Sequence, residues 1–437
     1  MRCLPSVNVV AAIVLLAIAI LLIADLARAG SRLGVEVDLH YLAHVESAQT
    51  DESILQVEPE WEHRSSTWSV YALGRLRATR DQYLPGQPGQ ATRAEHNRRA
   101  DLNDHISAEL REFYLDARFG RLNLRLGKQQ VVWGEADGLK VLDVINPTDF
   151  TEFILEPFED SRIPTWLVSA TAGLGSVNLE IVWSLDSSAH LFAPNNGNFA
   201  LSSSRTAQPA PELVDVIRRD NPIASPEGGV RLSSSIGSTD VSLVAMSRFN
   251  DFAVFQQPAT NAANRPLTAE YFRETLYGVS ATRALGDLVV RSELAYIEDR
   301  RFTPEDLSEA TPVESDVLQG VLGLDWFAPK SWLLSLQYFV THRRDDIAAR
   351  DPRQRDEFAT LSIRKRLKND QAAFSVITLY NRLDRDWLIR PKLSYEISDT
   401  WELSAGADLF RGTRAGTFGQ FQDASRLFFS LTWQAGL

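Results

Sequence analysis

Apolar and polar side chains alternate along most of the chain after residue 30. One segment places Leu427, Phe429, Leu431 and Trp433 on one face and Thr432 on the other. A period of two residues is that of a β-strand, whose successive side chains point to opposite faces. Each such segment has one face suited to lipid and one suited to water. Amphipathic helical patterns are almost absent, so the pattern predicts an all-β protein.

We count about eighteen alternating segments, with sixteen as the alternative count. Tryptophans cluster toward their ends, as in the aromatic belts of membrane barrels. These tryptophans are Trp61, Trp68, Trp183, Trp326, Trp332, Trp387 and Trp401. The predicted strands span residues 32–46, 53–62, 67–79, 105–118, 121–133, 165–173, 177–185, 228–236, 240–250, 270–283, 287–298, 315–327, 331–342, 356–367, 371–381, 385–397, 400–411 and 426–437.

The connections between these strands alternate in length. Short turns follow the even-numbered strands, and long connections follow the odd-numbered ones, with residues 382–384 as a short exception. Bacterial outer-membrane barrels join their strands in this way, with short periplasmic turns and longer external loops. Soluble antiparallel sheets also alternate in polarity. The phase of the connections favours a transmembrane antiparallel up-and-down β-barrel with both termini in the periplasm.

The first 29 residues have the features of a signal peptide. Arg2 precedes an apolar run over residues 9–24, and Ala27-Arg28-Ala29 is a typical cleavage site. A membrane anchor is the alternative, because the run approaches the roughly 17 residues that a spanning helix needs. We therefore expect export and one domain, the barrel of residues 30–437, in the outer membrane. The single cysteine of the sequence, Cys3, lies in the leader.

The connection over residues 134–164, the acidic loop, breaks the alternation. Asn146 suits a helix N-cap and Pro147 the first helical position, so we expect a short helix from Pro147 to about Leu155. The helix would group Phe150 and Phe153 on one side. We expect the loop to fold into the lumen as a constriction, because a barrel of this size otherwise encloses a wide aqueous channel. An external cap is the alternative.

The acidic loop carries carboxylates that the opposite wall matches with cations. Its eight acids are Glu135, Asp137, Asp143, Asp149, Glu152, Glu156, Glu159 and Asp160, and all of them except Glu156 are predicted constriction residues. The predicted lumen cations are Arg75, Arg77, Arg121, Arg125, Arg291, Arg364, Arg366, Arg390 and Lys392. The predicted loop anchors are Trp133, Asn146, Pro147 and Arg162. Rings of charge select ions in pores, but the same charges are equally consistent with ion pairs that hold the loop in place.

Residues 125–164 read RLGKQQVVWGEADGLKVLDVINPTDFTEFILEPFEDSRIP. This segment resembles a family of Gram-negative outer-membrane proteins catalogued as domain of unknown function thirteen hundred and two. The matching pieces are Trp133-Gly134, Asn146-Pro147 and the residues from Glu159 to Pro164. The resemblance covers about a tenth of the chain. It implies a porin-like barrel, and it also implies a link to efflux-type systems that move lipids or other hydrophobic compounds. It carries no active site.

Composition narrows the classes of function. The net charge of −12 argues against a nucleic-acid partner. The sequence has no G-x-S-x-G, H-E-x-x-H or phosphate-binding glycine loop, so we expect no enzyme, no cofactor and no metal. His40 and His44 are too far apart on a strand to share a metal. Calcium at Glu135, Asp137 and Asp143 is a weak alternative, since their spacing matches no known calcium loop.

Three functions stay open. The first is passage of small solutes through a water-filled channel that the acidic loop constricts. The second is export or uptake of hydrophobic compounds or lipids together with an envelope efflux system. The third is a surface or adhesive barrel that uses the external segments 186–227 and 251–269. The expected partners are outer-membrane lipids, the barrel-assembly machinery and the solutes, while the oligomeric state stays open.

Overall fold

The structure is a computed structural model that describes residues 30–45, 52–79, 92–195, 197–203, 214–216, 225–256, 267–306, 311–345, 347, 349, 351–367 and 370–436. The expected signal peptide lies outside these residues. Within the described part of the chain, no helix is long and apolar enough to cross a membrane.

The main sheet has 19 strands, of which 18 form a closed antiparallel ring and one, Ala100–Asn103, pairs only with the fourth ring strand. The ring strands are β1 Ser31–His44, β2 Glu52–Arg64, β3 Trp68–Thr79, β4 Ile106–Phe119, β5 Leu122–Gln129, β6 Thr165–Leu174, β7 Val177–Ser184, β8 Glu227–Ile236, β9 Thr239–Phe249, β10 Arg273–Leu285, β11 Leu288–Phe302, β12 Val313–Ala328, β13 Trp332–Arg343, β14 Arg355–Leu367, β15 Ala372–Asn381, β16 Asp386–Ser398, β17 Trp401–Arg411 and β18 Arg426–Gly436.

Each ring strand pairs with its neighbour in sequence, and β18 pairs with β1, from Gly34 opposite Gly436 to His44 opposite Arg426. This pairing closes the ring. The count of eighteen and the fold class are therefore confirmed. Two-residue turns join several hairpins, and Gly120 and Gly286 occupy the first turn position with φ near +64°, where a side chain would be strained.

The smaller elements lie in the connections. The short strands are Asp149–Phe150, Leu191–Phe192, Val214–Val216, Val254–Gln256 and Leu267–Glu270. The helical turns are Glu95–Asn97, Phe158–Ser161 and Gly419–Ala424. All of these elements belong to connections that follow odd-numbered strands, and two of them, Asp149–Phe150 and Phe158–Ser161, lie in the acidic loop.

Burial alternates along the wall as the sequence pattern predicts. On β12, Leu318, Leu322 and Leu324 are exposed on the outer face, whereas Val317 and Asp325 are buried on the inner face. The outer leucines would contact lipid, because strands of membrane barrels turn their apolar side chains outward.

The helix expected from Pro147 to Leu155 is wrong. Asp149–Phe150 is instead a short strand that pairs in parallel with Leu191–Phe192. The Asn146 side chain cannot cap a helix, because its Oδ1 accepts from Val131 N (2.7 Å) and its amide donates to three other groups. A short helix does occur in the acidic loop, at Phe158–Ser161. The fifth strand is also shorter than predicted and ends at Gln129.

Two apolar clusters fill part of the barrel, and the acidic loop contributes to both. The first joins Trp133, Val141 and Leu142 to inward side chains of the wall, including Met246 and Phe339. The second joins Leu155, Phe199, Leu379, Leu388, Phe410, Phe418, Phe421 and Ala424. The core therefore lies inside the ring, between the wall and the chain segments packed against it.

Candidate functional site

The acidic loop contacts opposite walls of the barrel. Arg248 on β9 donates to the carbonyl oxygen of Val144 (2.7 Å), and Arg426 on β18 forms an ion pair with Glu152 (2.7 Å). β9 and β18 face each other across a ring of eighteen strands. One segment reaches both walls only by crossing the space that the ring encloses, so the acidic loop crosses the lumen.

The first limb of the loop, residues 134–145, docks on one carboxylate. Glu293 on β11 is buried and accepts hydrogen bonds from the backbone N–H groups of Glu135, Ala136 (2.9 Å) and Leu142 (3.0 Å). Gln337 on β13 accepts another from Asp137 N (3.1 Å). Hydrogen bonds that place a carboxylate opposite several N–H groups are among the stronger ones in proteins. The wall therefore fixes the backbone of this limb.

Side-chain packing completes the docking of the first limb. Leu142 is fully buried and fits against Gly278 on β10, where an added Cβ would lie 2.4 Å from Leu142 Cδ2. Trp133, 1% exposed, lies in the same way against Gly229 on β8, where a Cβ would lie 2.9 Å from its ring. The two glycines leave room on the inner wall that larger residues would fill.

The second limb, residues 149–160, docks through ion pairs as well as through Phe153 and Leu155, which pack in the second apolar cluster. Arg75 on β3 donates to Asp160 (2.5 Å), and Arg77 pairs with Glu156 (3.3 Å). On the far side, Arg390 on β16 donates to the carbonyl oxygen of Leu155 (2.6 Å). Together with the Arg426–Glu152 pair, these contacts tie the limb to three strands.

The loop closes on itself at its base. Asp143 pairs with Arg162 (2.8 Å) and with Lys140 (3.5 Å). Arg111 on β4 donates to the carbonyl oxygens of Glu159, Asp160 and Arg162 at 3.0–3.1 Å. The carbonyl oxygen of Pro147 accepts from Ile163 N (2.8 Å). The four residues predicted as anchors, Trp133, Asn146, Pro147 and Arg162, all lie among these contacts.

Most of the loop acids have partners. Beyond the ion pairs already given, Asp137 pairs with Arg291 (3.3 Å), and Glu135 accepts from Thr282. Asp149 accepts from Thr151 Oγ1 (2.6 Å) and lies 3.5 Å from Arg93. Within the described residues, the carboxylate of Glu159 has no such partner and is exposed. Most of these acids therefore lie in ion pairs or accept hydrogen bonds.

The predicted wall cations fall into two groups. Arg75, Arg77, Arg291 and Arg390 contact the acidic loop. The others do not. Arg121 lies in the exposed turn between β4 and β5 and is not part of the wall. Arg125 pairs with Asp116 (2.7 Å), and Lys392 with Glu402 (3.7 Å).

Arg364 and Arg366 on β14 are exposed cations. Among the described residues, neither side chain has an ion pair or hydrogen bond. They lie two positions apart on the inner face of β14, near the turn that leads to β15. The lumen therefore keeps a small positive patch at the end of the barrel where the short turns lie.

The sequence pattern missed several of the residues that hold the loop. Arg111 was missed because a β-bulge opposite Leu73 and Gly74 shifts the inward-outward phase of β4 at this position. Arg426 is the first residue of its strand and was left out of the alternation. Glu293 was visible as a polar residue on an inner face, but no local signal shows that it meets backbone N–H groups from a segment far away in sequence.

Burial shifts the acid–base behaviour of two loop side chains. Burial raises the pKa of the Glu156 carboxyl above its ordinary value, although Arg77 opposes the shift. Burial lowers the pKa of the Lys140 ammonium, although Asp143 opposes that shift. In both cases the loss of water outweighs the nearby opposite charge.

One cavity lies on each side of the acidic loop. A polar cavity of about 570 Å³ lies at the short-turn end and includes Asp116, Arg125, Gln130 and Glu180 in its lining. A second cavity, of about 460 Å³, lies at the opposite end, and its lining includes six phenylalanines, among them Phe150 and Phe153 of the loop. In the described part of the chain, no three His, Cys, Asp or Glu side chains are close enough to hold a metal ion.

The closed ring of eighteen strands resembles the fold of solved outer-membrane porins. Three solved structures share it. OccAB3 from Acinetobacter baumannii has a TM-score of 0.53 at 10% identity, covering 94% of this chain and 100% of its own. A BenF-like porin from Pseudomonas fluorescens Pf-5 has a TM-score of 0.51 at 9% identity, covering 93% and 99%. OccK2 from Pseudomonas aeruginosa in complex with glucuronate has a TM-score of 0.50 at 10% identity, covering 93% and 98%.

Residues 53–434 match the model of the family described as protein of unknown function, DUF1302. The chain belongs to the DUF1302 family. The match spans every ring strand except β1 and the ends of β2 and β18, so it extends well beyond the segment that carried the resemblance. No curated protein matches the chain.

Proposed function

We propose that this protein is an outer-membrane channel through which small solutes diffuse, and that the acidic loop narrows its lumen. The observation that carries the proposal is the crossing of the lumen by one loop that docks on opposite walls, with a cavity on each side. Solved barrels of the same fold include one with glucuronate bound, which supports a small solute as cargo.

The experiment is single-channel recording from the purified protein in planar bilayers, with residues 135–160 intact or deleted. We expect stable current steps that grow on deletion, because the deletion removes the segment that crosses the lumen. A gel that compares heated and unheated samples checks that each barrel is folded. A folded barrel that carries no current with or without the loop would contradict the proposal.

We also propose that unpaired charges, more than the loop acids, set the ion preference. Most loop acids pair with an arginine, whereas Arg364 and Arg366 are exposed and have no ion pair within the described chain. Replacing both by glutamine should move the reversal potential in a KCl gradient toward cation preference. Lys365→Gln is the matched control, because Lys365 lies on the opposite face beside Trp332. An equal shift in the control would contradict this assignment.

A second candidate function has one observation in its favour. The phenylalanine-lined cavity would suit a hydrophobic compound or lipid that passes to or from an envelope efflux system. A folded barrel that carries no current and co-purifies with stoichiometric lipid would favour this function. The third reading, a surface or adhesive barrel, depends on external segments that lie in part outside the described residues.

A further inference from the structure

The cavity at the long-connection end of the barrel has an aromatic lining. Six phenylalanines border it: Phe150, Phe153, Phe192, Phe252, Phe255 and Phe302. Three of them form a continuous surface, since the ring centroids of Phe150 and Phe192 are 5.4 Å apart and those of Phe192 and Phe252 are 5.9 Å apart. Phe252 is 49% exposed. Exposed aromatic rings gathered around a cavity are a feature of binding sites.

The charged residues of the lining are already paired. Arg300 donates two hydrogen bonds to Glu274 (2.8 and 2.9 Å), and Asp351 pairs with Arg353 (2.7 Å). The remaining charge, Arg301, pairs with Glu314. A ligand ion would have to compete with these partners. The cavity therefore favours a part of a ligand that carries no charge.

The polar groups at its border are also engaged. Thr303 Oγ1 accepts from Phe255 N (3.1 Å), and Thr417 Oγ1 donates to Asp384 (2.9 Å). The Gln420 side chain accepts from Ser202 N and donates to the carbonyl oxygen of Thr417, both at 3.0 Å. Contact with the phenylalanines is therefore the main interaction that the cavity offers.

We propose that this cavity is an entry site for small solutes that carry an uncharged aromatic ring, with the polar part of the solute left in water. Its volume of about 460 Å³ is in the range of small-ligand sites. Phe150 and Phe153 belong to the loop that crosses the lumen, so a solute held here rests directly on that loop. The proposal rests on the channel function proposed above and names its substrate class.

Two probes that differ only in the ring test the proposal. Phenyl β-glucoside carries the ring, and methyl β-glucoside carries the same sugar without it. Each is added to one side of a bilayer that contains the intact protein, and current interruptions are counted. In parallel, each competes with the fluorescent 4-methylumbelliferyl β-glucoside for the protein in detergent, which measures binding without any current.

We expect only the phenyl glucoside to interrupt the current and to compete with the fluorescent glucoside for binding. It should interrupt the current when it is added to the external side. Phe252→Ala should weaken its binding about tenfold, since it removes one aromatic contact. Phe252 is half exposed, so the variant should fold, and Phe252→Leu should be intermediate. The control is Phe429→Ala, since Phe429 is 51% exposed on the outer face of β18 and its loss should leave binding unchanged.

Equal effects of both glucosides, or unchanged binding in Phe252→Ala, would overturn the proposed aromatic site. A measurable current in the same samples would still support the proposed channel. Ring-dependent binding without current in any sample would support the site and overturn the proposed channel.

Discussion

The two limbs of the acidic loop are held by different forces. The first limb, residues 134–145, docks through backbone hydrogen bonds to Glu293 and through buried Leu142 and Trp133. The second limb, residues 149–160, adds several ion pairs, such as Arg75 with Asp160, to the packing of Phe153 and Leu155. Salt screens partly exposed ion pairs and leaves buried packing almost unaffected. One limb therefore fixes the loop, while the docking of the other responds to ionic strength.

Glu293→Ala should weaken the docking of the acidic loop more than any other change considered below. The change leaves the N–H groups of Glu135, Ala136 and Leu142 without their acceptor, and unmet buried donors should weaken docking by about 4 kcal/mol. Single-channel conductance should rise, and Lys140 should react faster with an amine-reactive reagent, as read by mass spectrometry. Glu293→Gln keeps an acceptor oxygen and should have a smaller effect. Unchanged conductance in Glu293→Ala would show that the first limb does not depend on this carboxylate.

The next effect tests packing in the same limb. Leu142→Ala should weaken docking by about 3 kcal/mol, because it empties a fully buried site against Gly278. The rise in conductance should be the same at low and high KCl after correction for bulk conductivity. Leu322→Ala is the control, since Leu322 is exposed on the outer face. A response that grows with salt would contradict the division between the limbs.

A smaller effect is expected in the second limb. Asp160→Asn removes the charge opposite Arg75, which keeps Glu58 as a partner at 2.5 Å, and the Asp160 side chain is one-third exposed to salt. Docking should weaken by about 1 kcal/mol. Brief openings should become more frequent in the variant. As the KCl concentration rises, the opening frequency of the wild type should approach that of the variant. Lys140 modification reports on the first limb and should not change. If it accelerates as much as in Glu293→Ala, the limbs are not independent.

The smallest effect concerns pH. The pKa of Glu156 is raised by burial, so its protonated form stabilises the docked second limb. That contribution is fully present below the ordinary pKa of 4.5 and is lost as pH rises through the raised pKa. Arg77, Arg75, Asp149 and Glu152 also act on this carboxyl. Openings should therefore increase with pH in the wild type, and Glu156→Gln should flatten the dependence. An unaltered pH profile in Glu156→Gln would show that another titratable group causes the pH dependence of the openings.

The strands could be predicted because each carries its own signal. Lipid on one side and water on the other impose a period of two on every strand, so Leu318 and Leu322 reveal β12 without reference to any other strand. The lengths of the connections then order the strands. The bulge at Arg111 could not be predicted from the sequence, because one inserted residue reverses the inward–outward alternation without changing the composition of the strand.

The loop was less predictable, because its structure depends on distant partners. Asn146 and Pro147 have the local sequence pattern of a helix start. The Asn146 side chain is instead hydrogen-bonded to Val131, Gln129, Ile163 and Thr165. The sequence pattern identified the acids and some of the arginines that pair with them. It did not show which acid pairs with which arginine, because the partners are far apart in sequence. The pairs that formed favour the structural interpretation of the loop charges over a free transverse field.

The pairing of Gly34 with Gly436 joins the two ends of the described chain in one ladder. Until the last strand arrives, β1 and β17 each have an unpaired edge, and unpaired backbone groups are costly in lipid. Loss of β18 would thus open the entire wall rather than yield a slightly smaller barrel. The ring therefore forms completely or not at all, because the preceding strands can remain in a membrane only when the eleven residues of β18 close it.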